Sequence, residues 1–312
     1  MAHLLVTGGA GFVGSHLVNA LLKRGHRVRV LDDLSTGTRH NIPSRVEFIE
    51  ADVTNSSAVT RAFDRIDGCY HLAAIASIER SNREWLRTHQ VNMSGTINIF
   101  EQALGSRRRP PIPVVYASTA AVYGNYGCFR VTEDRPHAPL SAYGADKAAC
   151  ELHARIAGAV HALPTAGLRF FNLFGPGQNP NSPYSGVVSI FINRLRRGEP
   201  VDIYGDGGQV RDFTYIDDAV EALCSAMSVA SLDAPVFNVC TGVSTSVQDL
   251  AETIAALCGT ALVIRRGQPR PGEVRVSIGD PSLAAAKLNF TSRVPLVDGL
   301  ATVLALSSDT EN

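Results

Sequence analysis

The sequence predicts an α/β protein with a doubly wound parallel sheet, in which helices cover both faces of the sheet. Two observations lead to this fold class. Short apolar runs with strand character alternate with helical patterns through the first half of the 312-residue chain. The first run, residues 3–7, leads through a glycine-rich turn directly into a helical pattern. In folds of this class, ligands bind at the carboxyl ends of the strands.

The remaining predicted elements follow in regular alternation. Predicted strands cover residues 3–7, 27–31, 46–50, 68–74, 113–118 and 166–172. Predicted helices follow the glycine turn and cover residues 57–66, 88–104 and 143–161. After about Leu173 the pattern changes to a long loop and shorter pieces. We therefore expect residues 1–172 to form the sheet domain, with some later segments returning to it. Residues 173–312 are expected to form a smaller substrate-binding region.

The glycine turn predicts a binding site for a dinucleotide. It fits G-x-G-x-x-G from Gly9 and the wider G-x-x-G-x-x-G from Gly8. Glycines between a strand and a helix let the backbone approach a pyrophosphate, which then lies on the helix N-terminus. The residues expected to bind the cofactor at this turn are Gly8, Gly11, Phe12, Val13 and Gly14.

An acidic pair at the end of the second predicted strand indicates which dinucleotide is bound. Asp32 and Asp33 lie about 20 residues past the turn, where a carboxylate binds the ribose hydroxyls of adenosine. A carboxylate there would repel a 2′-phosphate, so NAD is favoured over NADP. Arg39 nearby weakens that preference slightly.

Composition argues against several other classes of protein. Lys and Arg together number 29, as do Asp and Glu, so the chain gives no sign of a nucleic-acid or membrane-surface partner. There is no apolar run of about 18 residues and no leader pattern, which predicts a cytoplasmic protein without a membrane segment. The six cysteines form no C-x-x-C and the nine histidines no H-E-x-x-H. We therefore expect reduced thiols and no metal site.

A tyrosine and a lysine on one predicted helix are candidates for acid–base chemistry. Tyr143 and Lys147 share a helix face, because residues four apart lie one above the other. A cation beside a phenol favours the phenolate and lowers a pKa that is about 10 when unperturbed. Ser118 and Thr119 end the preceding strand, where a bound nicotinamide would lie.

These features together resemble the extended short-chain dehydrogenase/reductase family, whose cofactor-binding half is of the Rossmann type. The resemblance covers nearly the whole chain. In the first half it includes the glycine turn, Asp32, Asp52–Val53, Leu72–Ala74, Asn92, Ser118–Thr119, Tyr143 and Lys147. In the second half, the segments similar to those of the family's nucleotide-sugar enzymes are Arg169–Asn172, Gly205–Gly207, Arg211–Phe213 and Arg270–Glu273.

The resemblance implies a role for each matching residue. The adenine lies beside Asp52 and Val53, and Asn92 supports the pocket. The pyrophosphate and the nicotinamide ribose are lined by Leu72, Ala73, Ala74, Ser118 and Lys147, and the nicotinamide by Phe170. The substrate is bound by Thr119, Tyr143, Asn172, Arg211, Arg270, Glu273 and Ser277. Two arginines suit a diphosphate, because each guanidinium binds two oxygens.

The resemblance also implies a reaction at the sugar C4. Tyr143 takes the O4 proton, Thr119 hydrogen-bonds O4, and hydride passes from C4 to NAD. Dehydratases of the family carry an Asp-Glu pair after the threonine and decarboxylases a glutamate, whereas this chain has Ala120 and Ala121. The sequence is therefore most similar to the UDP-glucose 4-epimerase subfamily, in which NAD is tightly bound and recycled. The alternatives are a decarboxylase, dehydratase or 4-ketoreductase of the same family, or a non-catalytic NAD-binding protein.

Two further expectations come from the resemblance. Ser277 stands where the family controls the space beside the sugar C2. A serine leaves room for an N-acetyl group, so UDP-GlcNAc and UDP-GalNAc are expected as substrates beside UDP-glucose and UDP-galactose. The predicted helices 88–104 and 143–161 resemble those that pair in the family's homodimers.

Overall fold

The computed structural model of the protein describes residues 1–105, 110–127, 130–179, 186–269 and 273–308. The strands are β1 (His3–Thr7), β2 (Arg27–Asp32), β3 (Glu47–Glu50), β4 (Gly68–His71), β5 (Val114–Thr119), β6 (Thr165–Phe170), β7 (Asn172–Phe174), β8 (Val201–Tyr204), β9 (Val210–Arg211), β10 (Phe213–Tyr215), β11 (Val236–Val239), β12 (Thr245–Ser246), β13 (Ile264–Gly267) and β14 (Val276–Ser277). The helices are α1 (Phe12–Lys23), α2 (Ser56–Ala62), α3 (Ile78–Arg83), α4 (Trp85–His89), α5 (Gly95–Ala103), α6 (Ala142–His161), α7 (Val187–Arg196), α8 (Ile216–Val229), α9 (Val247–Cys258), α10 (Ser282–Leu288) and α11 (Leu296–Ser308).

A seven-stranded parallel sheet forms the centre of the fold, in the order β3-β2-β1-β4-β5-β6-β11. Its two faces bury separate apolar clusters. Leu4 and Val6 pack with α1 and α8 on one face, while Leu5 packs with α2, α5 and α6 on the other. Successive strand residues point to opposite faces, so one apolar strand serves both clusters. The predicted doubly wound α/β fold is confirmed.

The direction of chain progression reverses between β1 and β4. From β1 the chain moves outward to β2 and β3, and from β4 it moves the other way to β5 and β6. The carboxyl ends of β1 and β4 therefore border the crevice in which open α/β sheets bind their ligands. The glycine turn, which follows β1, lies at this edge of the sheet. The end of β5, which carries Thr119, lies at the same edge.

The second half of the chain adds β11 to the main sheet and forms three small sheets. These pair β7 with β10, β9 with β12 and β14, and β8 with β13. The division of the chain near residue 172 stays a proposal. Strand β11 comes after this point but belongs to the main sheet, as expected for a later segment that returns to it. Arg211 and Ser277, predicted to bind the substrate, lie in one of the small sheets.

Four predicted elements differ from the observed ones by more than one residue. The predicted helix 88–104 is divided by a π-helical turn, Gln90–Ser94, between α4 and α5. The predicted strand 68–74 ends at His71, and the predicted strand 166–172 ends at Phe170, before the separate strand β7. The predicted helix 57–66 is shorter because the Arg29 guanidinium donates to carbonyl oxygens at its end, including that of Ala62 at 2.9 Å.

The described part of the chain contains no helix long and apolar enough to cross a membrane. Across these same residues, no group of three or more His, Cys, Asp or Glu side chains could hold a metal ion. The five described cysteines, Cys69, Cys150, Cys224, Cys240 and Cys258, are free thiols.

Candidate functional site: a dinucleotide cleft and a Thr–Tyr pair

The glycine turn is shaped by two glycines that the backbone requires and one that leaves open space. Gly8 has φ +68°, and a Cβ there would lie 2.6 Å from the Ala73 nitrogen. A Cβ on Gly14 would lie 2.1 Å from the Gly8 oxygen. A Cβ on Gly11 would meet nothing closer than 3.4 Å. The space beside Gly11 is therefore open at the N-terminus of α1, the kind of position at which proteins bind phosphate groups.

A cleft of about 430 Å³ extends from this turn along the ends of β1, β2 and β4. Such a volume lies within the range of ligand sites. The cleft brings together twelve residues that the sequence predicts for cofactor binding: Gly8, Gly11, Phe12, Val13, Gly14, Asp32, Asp33, Asp52, Val53, Leu72, Ala73 and Ala74. Its opposite wall includes Gly177, Gln178 and Asn179, which the sequence did not indicate.

The two acids at the end of β2 have different surroundings. Asp32 is buried, and its carboxylate accepts hydrogen bonds from the backbone nitrogens of Ala10 and Leu34, both at 2.9 Å. Burial raises the pKa of Asp32, and these bonds oppose the rise. The exposed carboxylate of Asp33 accepts from Ser35. Asp32 thus fixes the glycine turn, while Asp33 is open to a ribose hydroxyl.

Asp52, which lines the cleft, is held by a residue that the sequence did not single out. Its carboxylate accepts from the Thr54 nitrogen at 2.7 Å and from the Arg87 guanidinium on α4. Burial raises the pKa of Asp52, but these bonds outweigh burial and hold it below its usual value. A pair between such distant segments leaves no local sequence signal.

The wall of the cleft after β4 rests on a buried polar chain. Asn92 is fully buried and bonds both backbone groups of Ile75, at 2.7 and 3.1 Å. The Thr96 hydroxyl donates to the Asn92 carbonyl oxygen at 2.5 Å and lies 3.0 Å from Nε2 of His71. Burial and the charge of Lys147 lower the pKa of His71 to about 3. His71 is therefore neutral and donates through Nε2. Asn92 supports the cleft by fixing the Ile75 loop.

Thr119 and Tyr143 form the pair at the end of β5. The Thr119 hydroxyl lies close enough to the Tyr143 phenol to lower its pKa, and the Ser141 hydroxyl caps α6 by accepting from the Gly144 nitrogen at 3.1 Å. Burial raises the pKa of Tyr143 to about 12, against the Thr119 contact. Burial also lowers the pKa of Lys147. The lowered tyrosine pKa expected from the sequence is not found, because burial of the phenol outweighs the interaction with Thr119.

Ser118 does not face the cleft as the sequence interpretation expected. Successive strand residues point to opposite faces of the sheet, so the side chains of Ser118 and Thr119 point in opposite directions. The Ser118 hydroxyl is buried and donates to Glu151 at 2.5 Å. Phe170 is half-buried and pairs with Thr119 across β5 and β6, which places it at the catalytic end.

The small sheets bring together most of the residues predicted for substrate binding. Ser277 is the register partner of Arg211, and its carbonyl oxygen accepts from the Asp212 nitrogen at 3.0 Å. The Asp212 carbonyl oxygen accepts from the Asn172 nitrogen at 3.0 Å. The Arg211 guanidinium lies 3.4 Å from the Glu273 carboxylate, and burial lowers the pKa of Arg211. The predicted Arg270 lies outside the described residues.

The largest feature that the sequence analysis missed is a buried ion pair between Glu151 of α6 and Arg169 of β6. A signal was available: Glu151 stands four residues after Lys147, on the same helix face. Arg169 opens the segment that the resemblance already included.

The strand–turn–helix site, the acids after β2 and the cleft at the reversal of strand order define a Rossmann-type dinucleotide-binding protein. A family model described as the NAD dependent epimerase/dehydratase family matches residues 4–240. The chain belongs to this family, and its cofactor is NAD, as the sequence predicted.

Individual relatives are similar over most of the chain. A UDP-glucose 4-epimerase of Mycolicibacterium smegmatis is 35% identical over 95% of this chain and 96% of the relative. A UDP-N-acetyl-alpha-D-glucosaminuronate decarboxylase of Bacillus cytotoxicus is 32% identical over 81% of this chain and 79% of the relative. A crystal structure of UDP-glucose 4-epimerase with UDP-glucose, from Thermotoga maritima, has a TM-score of 0.93 at 35% identity, covering 99% of this chain and 100% of that one.

Gly11→Ala is expected to weaken NAD binding by about tenfold or more without lowering stability. Alanine suits the φ of −76° at this position, but its methyl group fills the space where the pyrophosphate approaches. NAD titration and thermal unfolding of the cofactor-free protein test this. Gly14→Ala is the contrasting control and should lower Tm, because its Cβ meets backbone. An unchanged NAD affinity in Gly11→Ala would contradict the placement of the pyrophosphate.

Proposed function

We propose that the protein is an NAD-dependent 4-epimerase of UDP-hexoses. The observation that carries this proposal is the neighbouring pair of Thr119 and Tyr143, with Ala120 and Ala121 after Thr119, where an eliminating enzyme needs acids. Thr119 also accepts from the Ala121 nitrogen at 3.2 Å, which holds its hydroxyl at the strand end. The relatives described above, epimerases among them, support the same conclusion.

The chemistry divides between the cofactor and the side chains. NAD, when bound, supplies a hydride acceptor that can return the hydride to either face of a ketose. Tyr143 takes the proton from the sugar O4 and returns it, and Thr119 orients O4 by a hydrogen bond. Lys147 binds the nicotinamide ribose. With alanines at positions 120 and 121, the 4-ketose has no acid–base partner for elimination. Rotation of the 4-ketose within the pocket, followed by its reduction on the other face, therefore completes the cycle.

We also propose that NAD stays bound between turnovers. The cleft wall at Gly177–Asn179 is joined to α1, because His16 Nε2 donates to the Pro176 carbonyl oxygen at 3.0 Å. The His16 ring packs edge-on against Phe12, 5.6 Å between centroids. A wall held in this way favours a resident cofactor, which suits a reaction without net oxidation.

A UDP-sugar fits the opposite side of the site. Arg211, and Arg270 by its position in the sequence, would bind the diphosphate, and Glu273 the uridine ribose. The contact between Arg211 and Glu273 holds both side chains at the small sheet. Asn172 and Ser277 complete the site, most of which lies in residues 173–312, the proposed substrate-binding region. The five free thiols suit a reducing compartment, and we place the protein in the cytoplasm.

A homodimer is proposed from apolar side chains that remain on the surface of two helices. Leu152, Ile156 and Val160 on α6 are 51%, 50% and 68% exposed and follow one another at four-residue intervals. Trp85 and Leu86 on α4 are 70% and 71% exposed. Helices α4 and α6 pack together, so both groups lie where a second copy can cover them.

Purified protein without added cofactor should convert UDP-glucose to UDP-galactose, and Tyr143→Phe should lose at least about 100-fold in turnover while retaining NAD. NMR of the sugar products and NAD content after denaturation measure this. Tyr126→Phe is the matched control and should remain active. Release of CO₂, a stable keto or unsaturated product, or net consumption of added NADH would favour another enzyme of the family. Equal activity in Tyr143→Phe would contradict the assigned role.

Ser277→Tyr should abolish conversion of UDP-GlcNAc and UDP-GalNAc while UDP-glucose and UDP-galactose still react. The larger side chain fills the space beside C2 that an N-acetyl group needs. Initial rates on both sugar pairs give the ratio, and Ser277→Ala is the control that keeps the space open. Equal kinetics of Ser277→Tyr on the two pairs would sink the idea.

Ile156→Glu should convert the dimer to a monomer, because it places a charge in the centre of the apolar surface of α6. Sedimentation equilibrium measures the mass, and Arg155→Glu, at the neighbouring position of α6, is the control for added negative charge. A monomeric wild-type protein at micromolar concentration would contradict the dimer.

A further inference from the structure

A buried polar cluster lies behind the Thr119–Tyr143 pair. Glu151 is fully buried and accepts two hydrogen bonds from the Arg169 guanidinium, at 2.9 and 2.6 Å. Glu151 also accepts from the Ser118 hydroxyl at 2.5 Å and lies 2.9 Å from Nε2 of His137. Arg169 donates further to the Tyr123 hydroxyl at 2.7 Å. We call these five residues the rear cluster.

The rear cluster and the catalytic pair connect the same two elements. Ser118 and Thr119 are consecutive on β5, while Tyr143 and Glu151 stand eight residues apart on α6. Eight residues are two helical turns plus about 80°, and about 12 Å along the axis. The contacts of Tyr143 with Thr119 and of Glu151 with Ser118 are thus two cross-links between the end of β5 and α6.

Two cross-links constrain the helix more than one does. The contact at Tyr143 ties α6 to β5 at one point, while the Arg169 bonds tie Glu151 to β6. A second contact with β5, two turns further along, removes the rotation and the axial shift that would carry Tyr143 away from Thr119. Lys147 stands between the two and is fully buried, so it moves with the same rigid face.

We propose that Ser118 is a positioning residue, which holds α6 in register with β5 through Glu151 and so keeps Tyr143 within reach of Thr119. The catalytic side of the proposal rests on the proposed function, because it takes Tyr143 as the acid–base group. The Ser118 hydroxyl serves the reaction from the buried face of the strand, without contact with cofactor or substrate.

Ser118→Ala tests the proposal in the holoenzyme. It removes one hydroxyl and leaves Glu151 paired with Arg169. We expect kcat for UDP-glucose to fall about tenfold to a hundredfold with KM and bound NAD unchanged, because misplacement of a reacting group by about 1 Å costs rates of this size. Amide hydrogen exchange in the first half of α6 should become faster. Tyr123→Phe removes an acceptor of Arg169 while the Ser118–Glu151 bond stays, so it should lower Tm, but its kcat and its exchange in the first half of α6 should stay within about twofold of wild type.

The possible results separate the proposals. If Ser118→Ala matches Tyr123→Phe in both kcat and exchange, Ser118 has no positioning role. If Ser118→Ala loses NAD but regains full kcat in excess NAD, Ser118 is a cofactor ligand and the proposal is overturned. If the wild-type protein converts no UDP-sugar, the proposed function fails, while the exchange comparison still tests the cross-link. If Ser118→Ala does not fold, Ser118→Cys, which keeps a weaker donor, should give an intermediate kcat, and wild-type kcat there would overturn the proposal.

Discussion

The buried ion pair of Glu151 and Arg169 is the constraint on which the catalytic half of this molecule depends. Taking two charges out of water is costly, and the cost is offset only where the geometry is good and each remaining donor is satisfied. Arg169 meets this condition. It donates twice to Glu151, then to the Tyr123 hydroxyl and the Glu133 carbonyl oxygen, and its guanidinium lies 4.7 Å from the Tyr123 ring centroid. These bonds outweigh the burial that opposes ionisation and hold the pKa of Glu151 at about 2.

The cofactor half is held by a different kind of polar network. Its members, from Thr7 through His71 and Thr96 to Asn92, are neutral, so the network costs less to bury and needs only correct donor and acceptor pairing. The two networks suit different needs. The neutral hydrogen bonds fix the Ile75 loop beside the cleft without placing a charge there. The ion pair anchors α6, the helix that carries Tyr143.

The sequence predicted the parts of the molecule that depend on local patterns. The glycine turn and the acid after β2 follow from steric and electrostatic needs at adjacent positions, and the parallel order follows from alternation. The π-helical turn at Asn92 could not be predicted, because it depends on a bond to Ile75 seventeen residues away. The bond between Asp52 and Arg87 also has no local pattern. Ser118 is different: period-two alternation could have placed it opposite Thr119, but the resemblance grouped the two hydroxyls together.

Asp212 joins the segments predicted to bind the substrate to the end of β11, mainly through backbone atoms of its partners. The carboxylate of Asp212 accepts from the backbone nitrogens of Thr241 and Gly242, both at 2.8 Å, where the chain leaves β11. The backbone of Asp212 bonds that of Asn172 and Ser277. Because these bonds use main-chain atoms, the side chain at position 277 can change without moving the strands beside it. Under the proposed function, the space beside the sugar is therefore set separately from the placement of Tyr143, so that the substrate range can vary while the acid–base geometry stays fixed.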